Sequence, residues 1–330
     1  MTGGERYVAG VDLGGTKIRT ALAGAGGQVL AETEVPTEAA GGVRHVVERV
    51  LYTLELVQRE AGVERRQLAA LGVGVPGPLD PASGVVYTAP NLGWQDVPVR
   101  TILEEKTGIP VYLENDADLA ALGEYAWGAG RGAENMVYVT VSTGIGGGLI
   151  LNGRLYRGSF GGAGEIGHTV VLPDGPPCRC GKRGCTEALA SGTAIARRAV
   201  ELVEGGFGRG ILAAAGGRVE GITAAAVAAA AAAGDGEALF LMKEAARYLG
   251  VALANVIVLL SPSLVVLGGG VMQAGEFFYE EICRQVRRGV IGPAARARVV
   301  PAATGGRAGV LGAVYLALTA ENECINRRRK

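Results

Sequence analysis

The chain has 330 residues, of which 48% are hydrophobic and 19% charged, with 32 Lys+Arg against 32 Asp+Glu. This composition excludes a disordered chain, and the zero net charge leaves no overall field to hold nucleic acid or an anionic membrane, so a small-molecule partner is expected. Glycine fills 55 positions, more than double the usual share of about 7%, without the three-residue period of a collagen.

The start, Met1 to Arg6, is polar and lacks the features of a secretory leader. No apolar run reaches the roughly 18 residues of a membrane helix. A cytoplasmic location is expected, with the five cysteines reduced or metal-bound. Tyr7–Val11, Ile18–Leu22 and Val29–Val35 read as a three-strand antiparallel meander, its first turn being Asp12-Leu-Gly-Gly-Thr-Lys17. Val43–Ala61 has helical periodicity through Val46, Val50, Leu54 and Val57. Leu71–Val75 is a buried strand stopped by Pro76-Gly-Pro78. Val99–Thr107 is a helix closed by Gly108, Val111–Leu113 a strand, and Ala117–Trp127 a helix. Asp116 thus falls at a strand-to-helix junction, where open α/β sheets place ligand contacts.

The first plan then repeats. Met136–Ser142 is a strand, Thr143-Gly-Ile-Gly-Gly-Gly148 a glycine-rich turn, and Leu149–Leu151 and Arg154–Tyr156 a hairpin, which together indicate a duplication. Helices follow at Thr193–Val203 and from about Glu237 to Leu260. The alanine tract 224–233 reads as a plain surface helix without function. Leu264–Leu267 is a strand opening on Gly268-Gly-Gly270, followed by helices at Phe277–Arg288 and Val310–Leu318. Arg327-Arg-Arg-Lys330 reads as a solvated end.

Glycine turns after strands at Gly14-Gly15-Thr16, Thr143-Gly144 through Gly148 and Gly268 to Gly270 let backbone N–H groups converge on phosphate oxygens, with the Thr16 and Thr143 hydroxyls as further donors. Neither a Walker motif nor a dinucleotide fingerprint is present. Asp12 ends its strand beside the first such turn, suited to holding Mg²⁺ through water. Asp116 is placed to take a proton from a hydroxyl while Asn115 fixes the substrate, or to cap the helix, or both. His168, Cys178, Cys180 and Cys185 are soft ligands in the number a closed, structural zinc site requires, whereas Cys283 and Cys324 stand apart as simple thiols. With one His168 nitrogen on zinc, the other points outward toward a sugar hydroxyl, near Glu165 and Glu187.

In Asp12-Leu-Gly-Gly-Thr-Lys17, Gly74-Val-Pro-Gly-Pro78, Pro90-Asn-Leu-Gly-Trp94, Glu114-Asn-Asp-Ala117, Ser142-Thr-Gly-Ile-Gly-Gly-Gly148, Gly164-Glu-Ile-Gly-His168 and Cys178-Arg-Cys-Gly-Lys-Arg-Gly-Cys185-Thr-Glu187, the chain resembles the ROK family of sugar kinases and repressors, and within it the bacterial glucokinases. The resemblance implies an actin-like, ribonuclease-H-like duplicated α/β fold. The smaller domain would comprise residues 1–118 plus about 306–330. The larger, 119–305, would carry the zinc loop. Asp116 would be the base for the 6-hydroxyl of the sugar, with Asn91, Asn115, Glu165, His168 and Glu187 on its other hydroxyls. Gly14, Gly15, Thr16, Lys17, Thr143 and Gly144 would meet the phosphates, and Gly269 and Gly270 the adenosine. Two departures stand out: Asp118, where many relatives have asparagine, and Gly305-Gly-Arg-Ala308. The expected activity is ATP- and Mg²⁺-dependent phosphorylation of glucose, by a homodimer or homotetramer. Kinases for N-acetylmannosamine, N-acetylglucosamine or fructose, and a non-catalytic sugar sensor, are the alternatives. A repressor is not expected, since only six residues precede the first strand.

Overall fold

The computed structural model describes residues 6–328, and the side chains of the last helix as far as Asn322. Residues 1–5, the Cys324 side chain and the basic end therefore lie outside what is described below.

The elements in order are β1 (Tyr7–Leu13), β2 (Lys17–Gly24), β3 (Val29–Pro36), α1 (Gly42–Ala61), β4 (Leu68–Val75), β5 (Leu79–Asp80), β6 (Val85–Ala89), β7 (Trp94–Val97), α2 (Val99–Thr107), β8 (Val111–Asn115) and α3 (Asp116–Trp127). The second half contains β9 (Met136–Val141), β10 (Ile145–Leu151), β11 (Arg154–Leu155), α4 (Thr186–Ala190), α5 (Gly192–Glu204), α6 (Arg209–Ala214), α7 (Ala224–Ala232), α8 (Gly236–Leu260), β12 (Leu264–Gly268), α9 (Glu276–Gly289), β13 (Arg298–Pro301) and α10 (Ala308–Arg328).

Two five-stranded sheets share one topology, β3-β2-β1-β4-β8 and β11-β10-β9-β12-β13. In each, an antiparallel meander continues into two parallel strands. This is the duplication expected from the repeated strand–turn–strand pattern, in the ribonuclease-H-like form that the family resemblance implies. A third, small sheet, β5-β6-β7, hangs from the first half and was not anticipated. Its strands are too short for alternation to show.

The predicted face of α1 is buried: Val46, Val50, Leu54 and Val57 are at most 2% exposed and pack with Val11, Leu13, Ile18 and Leu71. On the opposite face of the first sheet, Val8, Ala21 and Ala70 meet Val310 and Val314 of α10. Gly10 and Gly72 are register partners on β1 and β4. A Cβ on Gly72 would lie 2.0 Å from the Ala313 carbonyl oxygen, so the two glycines form the seat for α10. The core of the second sheet joins Val137, Val139 and Val265 to Leu241, Leu249 and Leu253 of α8.

The two halves are linked by α3 and α10, which cross closely: a Cβ on Gly312 would lie 1.7 Å from the Leu119 carbonyl oxygen. The unusual segment before α10 is also tied down. Fully buried Glu124 on α3 accepts the Ala303 and Thr304 N–H groups at 3.0 and 2.8 Å, and Arg307 donates to Glu32 at 2.8 Å. Among the described residues, no single helix is long and apolar enough to cross a membrane.

Candidate active site

The first of the predicted phosphate turns closes with Gly14 N–H donating to the Lys17 carbonyl at 2.9 Å. Thr37 braces it from outside, its hydroxyl donating to the Gly14 carbonyl at 2.7 Å and its N–H to the Thr16 carbonyl at 2.9 Å. Asn91, between β6 and β7, rests on this turn, because a Cβ on Gly15 would be 2.7 Å from the Asn91 Cβ. Thus the unforeseen small sheet delivers Asn91 to the phosphate turn. Lys17 is placed differently. Its ammonium is paired with Glu34 of β3 at 3.1 Å, and it is not among the residues that line the cleft beside this turn.

The second turn is shorter than the glycine run suggests. It spans Ser142 to Gly144, and β10 already begins at Ile145. Gly146 and Gly148 seat α3, since Cβ atoms there would lie 2.9 Å from Ala117 Cβ and 2.6 Å from Ala121 Cβ. Gly147 admits the incoming segment that bears Glu165 and His168, its Cβ position being 2.7 Å from the Gly164 carbonyl oxygen. Three of the four glycines therefore serve packing rather than phosphate contact, and they bring α3 and the 164–168 segment to the two faces of one strand. The N-terminus of α5 abuts the same turn, with Gly192 N–H donating to the Ser142 carbonyl at 2.7 Å. Ser191 caps α5 by accepting the Ala194 N–H at 3.1 Å. A helix start aimed at this turn favours anionic groups.

At the junction of β8 and α3 the helix cap is Asn115 rather than Asp116: its Oδ1 accepts the Ala117 N–H at 2.9 Å and its Nδ2 donates to the Gly77 carbonyl at 3.2 Å. Asp116 is the first helical residue, accepting the same N–H at 2.8 Å. Asp116 keeps access to solvent while its carboxyl is closely surrounded by protein. Burial, followed by the negative charge of Asp12, raises its pKa to about 6, and Glu165 adds a smaller push. Asp12 is itself raised, mainly by burial, against the pull of Arg19 and Lys17. The Asp12 charge is thus near enough to act on Asp116, and two neighbouring carboxylates are a donor set that fits a divalent cation.

His168, Cys178, Cys180 and Cys185 converge, one ligand atom from each lying within 4.8 Å of all the others. Cys178 Sγ is 3.7 Å from His168 Nδ1, and Cys180 Sγ is 3.6 Å from Cys185 Sγ, far beyond a disulfide. A tetrahedron with Zn–S bonds of about 2.3 Å has edges of about 3.8 Å, so the four ligands fit zinc. His168 Nε2 is then left on the other side, 3.9 Å from Glu165. The loop's path depends on Gly184, where φ is +67° and a Cβ would sit 1.5 Å from the Leu172 carbonyl oxygen.

Two cavities of about 730 Å³ each meet at Thr143 and Thr193. The first is polar, with Gly15, Thr16, Asn91, Gly144 and Glu187 on its wall. The second is lined by Gly270, Val271 and the methyl groups of Ala225, Ala228, Ala229 and Ala232. The alanine tract, expected to be a plain surface helix, is α7: it buries Val227, Ala230 and Ala231 in the core and presents Ala224, Ala225, Ala228, Ala229 and Ala232 to this second cavity. Gly269, at φ +92°, packs against Val141 and turns the chain so that Gly270 reaches the cavity.

The profile of the ROK family matches residues 8–320. The chain belongs to the ROK family. A glucokinase of Halalkalibacterium halodurans is 39% identical to it, over 96% of this chain and 97% of its own. The ROK hexokinase of Thermus thermophilus, 40% identical, superposes with a TM-score of 0.83 over 96% of this chain and 99% of that one. A ROK family glucokinase of Streptomyces griseus in complex with glucose and AMPPNP, 36% identical, superposes with a TM-score of 0.80 over 96% of this chain and all of the other.

Within this ROK chain, sequence reasoning missed three contributors to the cleft. Ser191 and Thr193 carried a legible signal, a Ser-Gly-Thr run ahead of an apolar helix. The α7 alanines carried none, because a methyl wall and a solvent-facing helix have the same composition. Arg179 lay in view between two predicted metal ligands.

Proposed function

We propose that this protein transfers the γ-phosphoryl group of ATP to the 6-hydroxyl of glucose. The observation that carries the reading is the pair of adjoining cavities, one polar between two phosphate turns and one walled by methyl groups, with Asp116 as the base beside the first. The polar cavity suits a sugar and the phosphates, and the methyl-lined one suits a nucleobase.

Asp116 accepts the proton of the 6-hydroxyl as the phosphoryl group arrives. Asn91, Asn115, Glu165, His168 and Glu187 hold the other hydroxyls through paired carboxylate and amide contacts. The backbone N–H groups of Gly15 and Gly144, with the Thr16 and Thr143 hydroxyls, bind the phosphates, Gly14 closing the first turn through its own N–H bond to Lys17, and Gly269 and Gly270 border the adenosine. Phosphoryl transfer has a loose, charge-spread transition state, so positioning and neutralisation supply most of the catalysis. Mg²⁺, held by Asp12 through water, would neutralise phosphate charge there. Zn²⁺ on His168, Cys178, Cys180 and Cys185 would have a structural role, fixing the ring of His168.

Residues 1–118 with 306–330 and residues 119–305 act as two lobes, whose closure excludes water from the reaction. Cys178, Cys180, Cys185 and Cys283 form no disulfide, which suits a reducing, cytoplasmic setting. Exposed Leu259 and Ile291, at 81% and 74%, favour a homo-oligomer that covers them.

The test is glucose-dependent ADP release, run beside fructose, N-acetylmannosamine and N-acetylglucosamine. Glucose is expected to give the highest kcat/KM. A higher value for another sugar would replace the substrate, and no turnover with any of them would end the kinase reading.

A further inference from the structure

One cation faces the polar cavity with its guanidinium uncommitted. Arg179 lines that cavity together with Gly15, Thr16, Thr143 and Gly144, and it has no hydrogen-bond or ion-pair partner among the described residues. The other cations nearby are engaged. Arg197 donates to the Ala188 carbonyl at 3.0 Å and lies 3.6 Å from Glu201. Lys182 donates to the His168 carbonyl at 2.8 Å, and Lys17 is paired with Glu34.

The backbone beneath Arg179 is held firmly. Its neighbours Cys178 and Cys180 both belong to the four-ligand cluster. The loop is further closed by Cys178 N–H donating to the Lys182 carbonyl at 2.8 Å and Gly181 N–H to the Cys178 carbonyl at 3.0 Å. A long side chain with a fixed root and a free planar head is suited to bidentate capture of phosphate oxygens. The cavity needs such a group. Its two turns offer neutral N–H and O–H donors, while Glu187 contributes a negative charge to the same wall.

We propose that Arg179 binds the phosphoryl group in transfer, so that the metal-clamped loop contributes the positive charge that the phosphate turns lack. This rests on the kinase reading above and adds a residue to it. The loop would then serve both substrates, His168 facing the sugar and Arg179 the donor.

The experiment compares wild type with Arg179→Gln and Arg179→Lys. Calorimetry with the non-hydrolysable analogue AMPPNP, in the presence of glucose, gives nucleotide affinity. Glucose binding alone, zinc content and kcat are measured in parallel. Arg179→Gln is expected to weaken AMPPNP at least about tenfold and to lower kcat at least about 10²-fold, the scale of a lost charged contact to a transition state. Glucose binding and zinc content should stay as in wild type, and Arg179→Lys should recover part of the loss. Unchanged AMPPNP affinity and kcat in Arg179→Gln would overturn the proposal, as would a loss of glucose binding equal to the loss of nucleotide binding. Should Arg179→Gln lose its zinc, Arg179→Lys with zinc intact decides: reduced kcat supports the proposal and wild-type kcat overturns it. Failure of wild type itself to turn over would instead strike the kinase reading.

Discussion

The Glu187 carboxylate accepts the backbone N–H of Ile145 at 2.9 Å, so a sugar-binding candidate is fastened to the residue that follows the second phosphate turn. The turn tolerates this only because Gly144 has no side chain, a Cβ there falling 2.5 Å from Glu187 Oε2. Gly144→Ala should therefore displace the carboxylate. Steady-state kinetics should show kcat/KM for glucose reduced at least about tenfold, equivalent to about 1.4 kcal/mol, with the circular dichroism spectrum unchanged. Wild-type kinetics in this variant would remove the coupling.

As the proposed base, Asp116 would act only when ionised. With its pKa raised to about 6 by burial and by Asp12, kcat/KM for glucose should be flat above that value and fall tenfold per pH unit below it. Asp116→Asn should lower kcat at least about 10²-fold, the usual contribution of a general base, while glucose still binds. A pH–rate profile flat down to pH 5 would contradict the assignment.

Asp118 is 5% exposed, one of its oxygens has no partner, and Glu114, itself 2% exposed, lies close by with its charge answered by Arg157. Burial, then Glu114, pushes Asp118 up to about 8 from an ordinary 3.8. The folded protein thus holds this proton more tightly than the unfolded chain does. Stability contributed by that proton is complete at acid pH and is lost as pH rises toward and through about 8. Asp118→Asn, neutral at every pH, should show a smaller fall in Tm between pH 6 and pH 9. Superimposable Tm curves for the two proteins would show that Asp118 is already ionised at neutral pH.

Purified protein should carry about one zinc per chain. Stripping it with chelator should lower Tm and also raise KM for glucose, because His168 loses the anchor at Nδ1 that turns Nε2 toward Glu165. Equal KM before and after stripping would confine the cluster to a stability role remote from the sugar.

Enlarging the methyl wall should block the second cavity. Ala228→Phe on α7 is expected to raise KM for ATP about tenfold or more, since a ring fills space the base would use, and to leave glucose binding unaltered. Unchanged KM for ATP would mean that the base sits elsewhere.

The duplicated meanders were legible because strand alternation and turn residues are local signals, as was the strand-to-helix junction at Asn115 and Asp116, and the convergence of the four-ligand set was legible because such residues are rare and closely spaced. Gly146, Gly147 and Gly148 misled for a physical reason: a glycine that lets a helix dock on a strand looks the same in sequence as one that turns a loop. The docking partners, Ala117, Ala121 and Gly164, lie far along the chain or on another element. Lys17 misled similarly, since its pairing with Glu34 follows from the register of β2 with β3. Nothing local could reveal that Leu79–Val97 folds into a sheet that carries Asn91.

The alanine face of α7 has one more consequence. A surface made of methyl groups offers shape but no donors or acceptors, so a base lying on it would be gripped by its flat side and not read by its edge. Any discrimination between adenine and guanine would fall to the polar side chains on the rest of the wall, Ser142, Thr143, Thr193, Thr223 and Gln273. With a base on this wall, holding the donor and recognising it would fall to different atoms, many methyl groups for the first and few polar ones for the second.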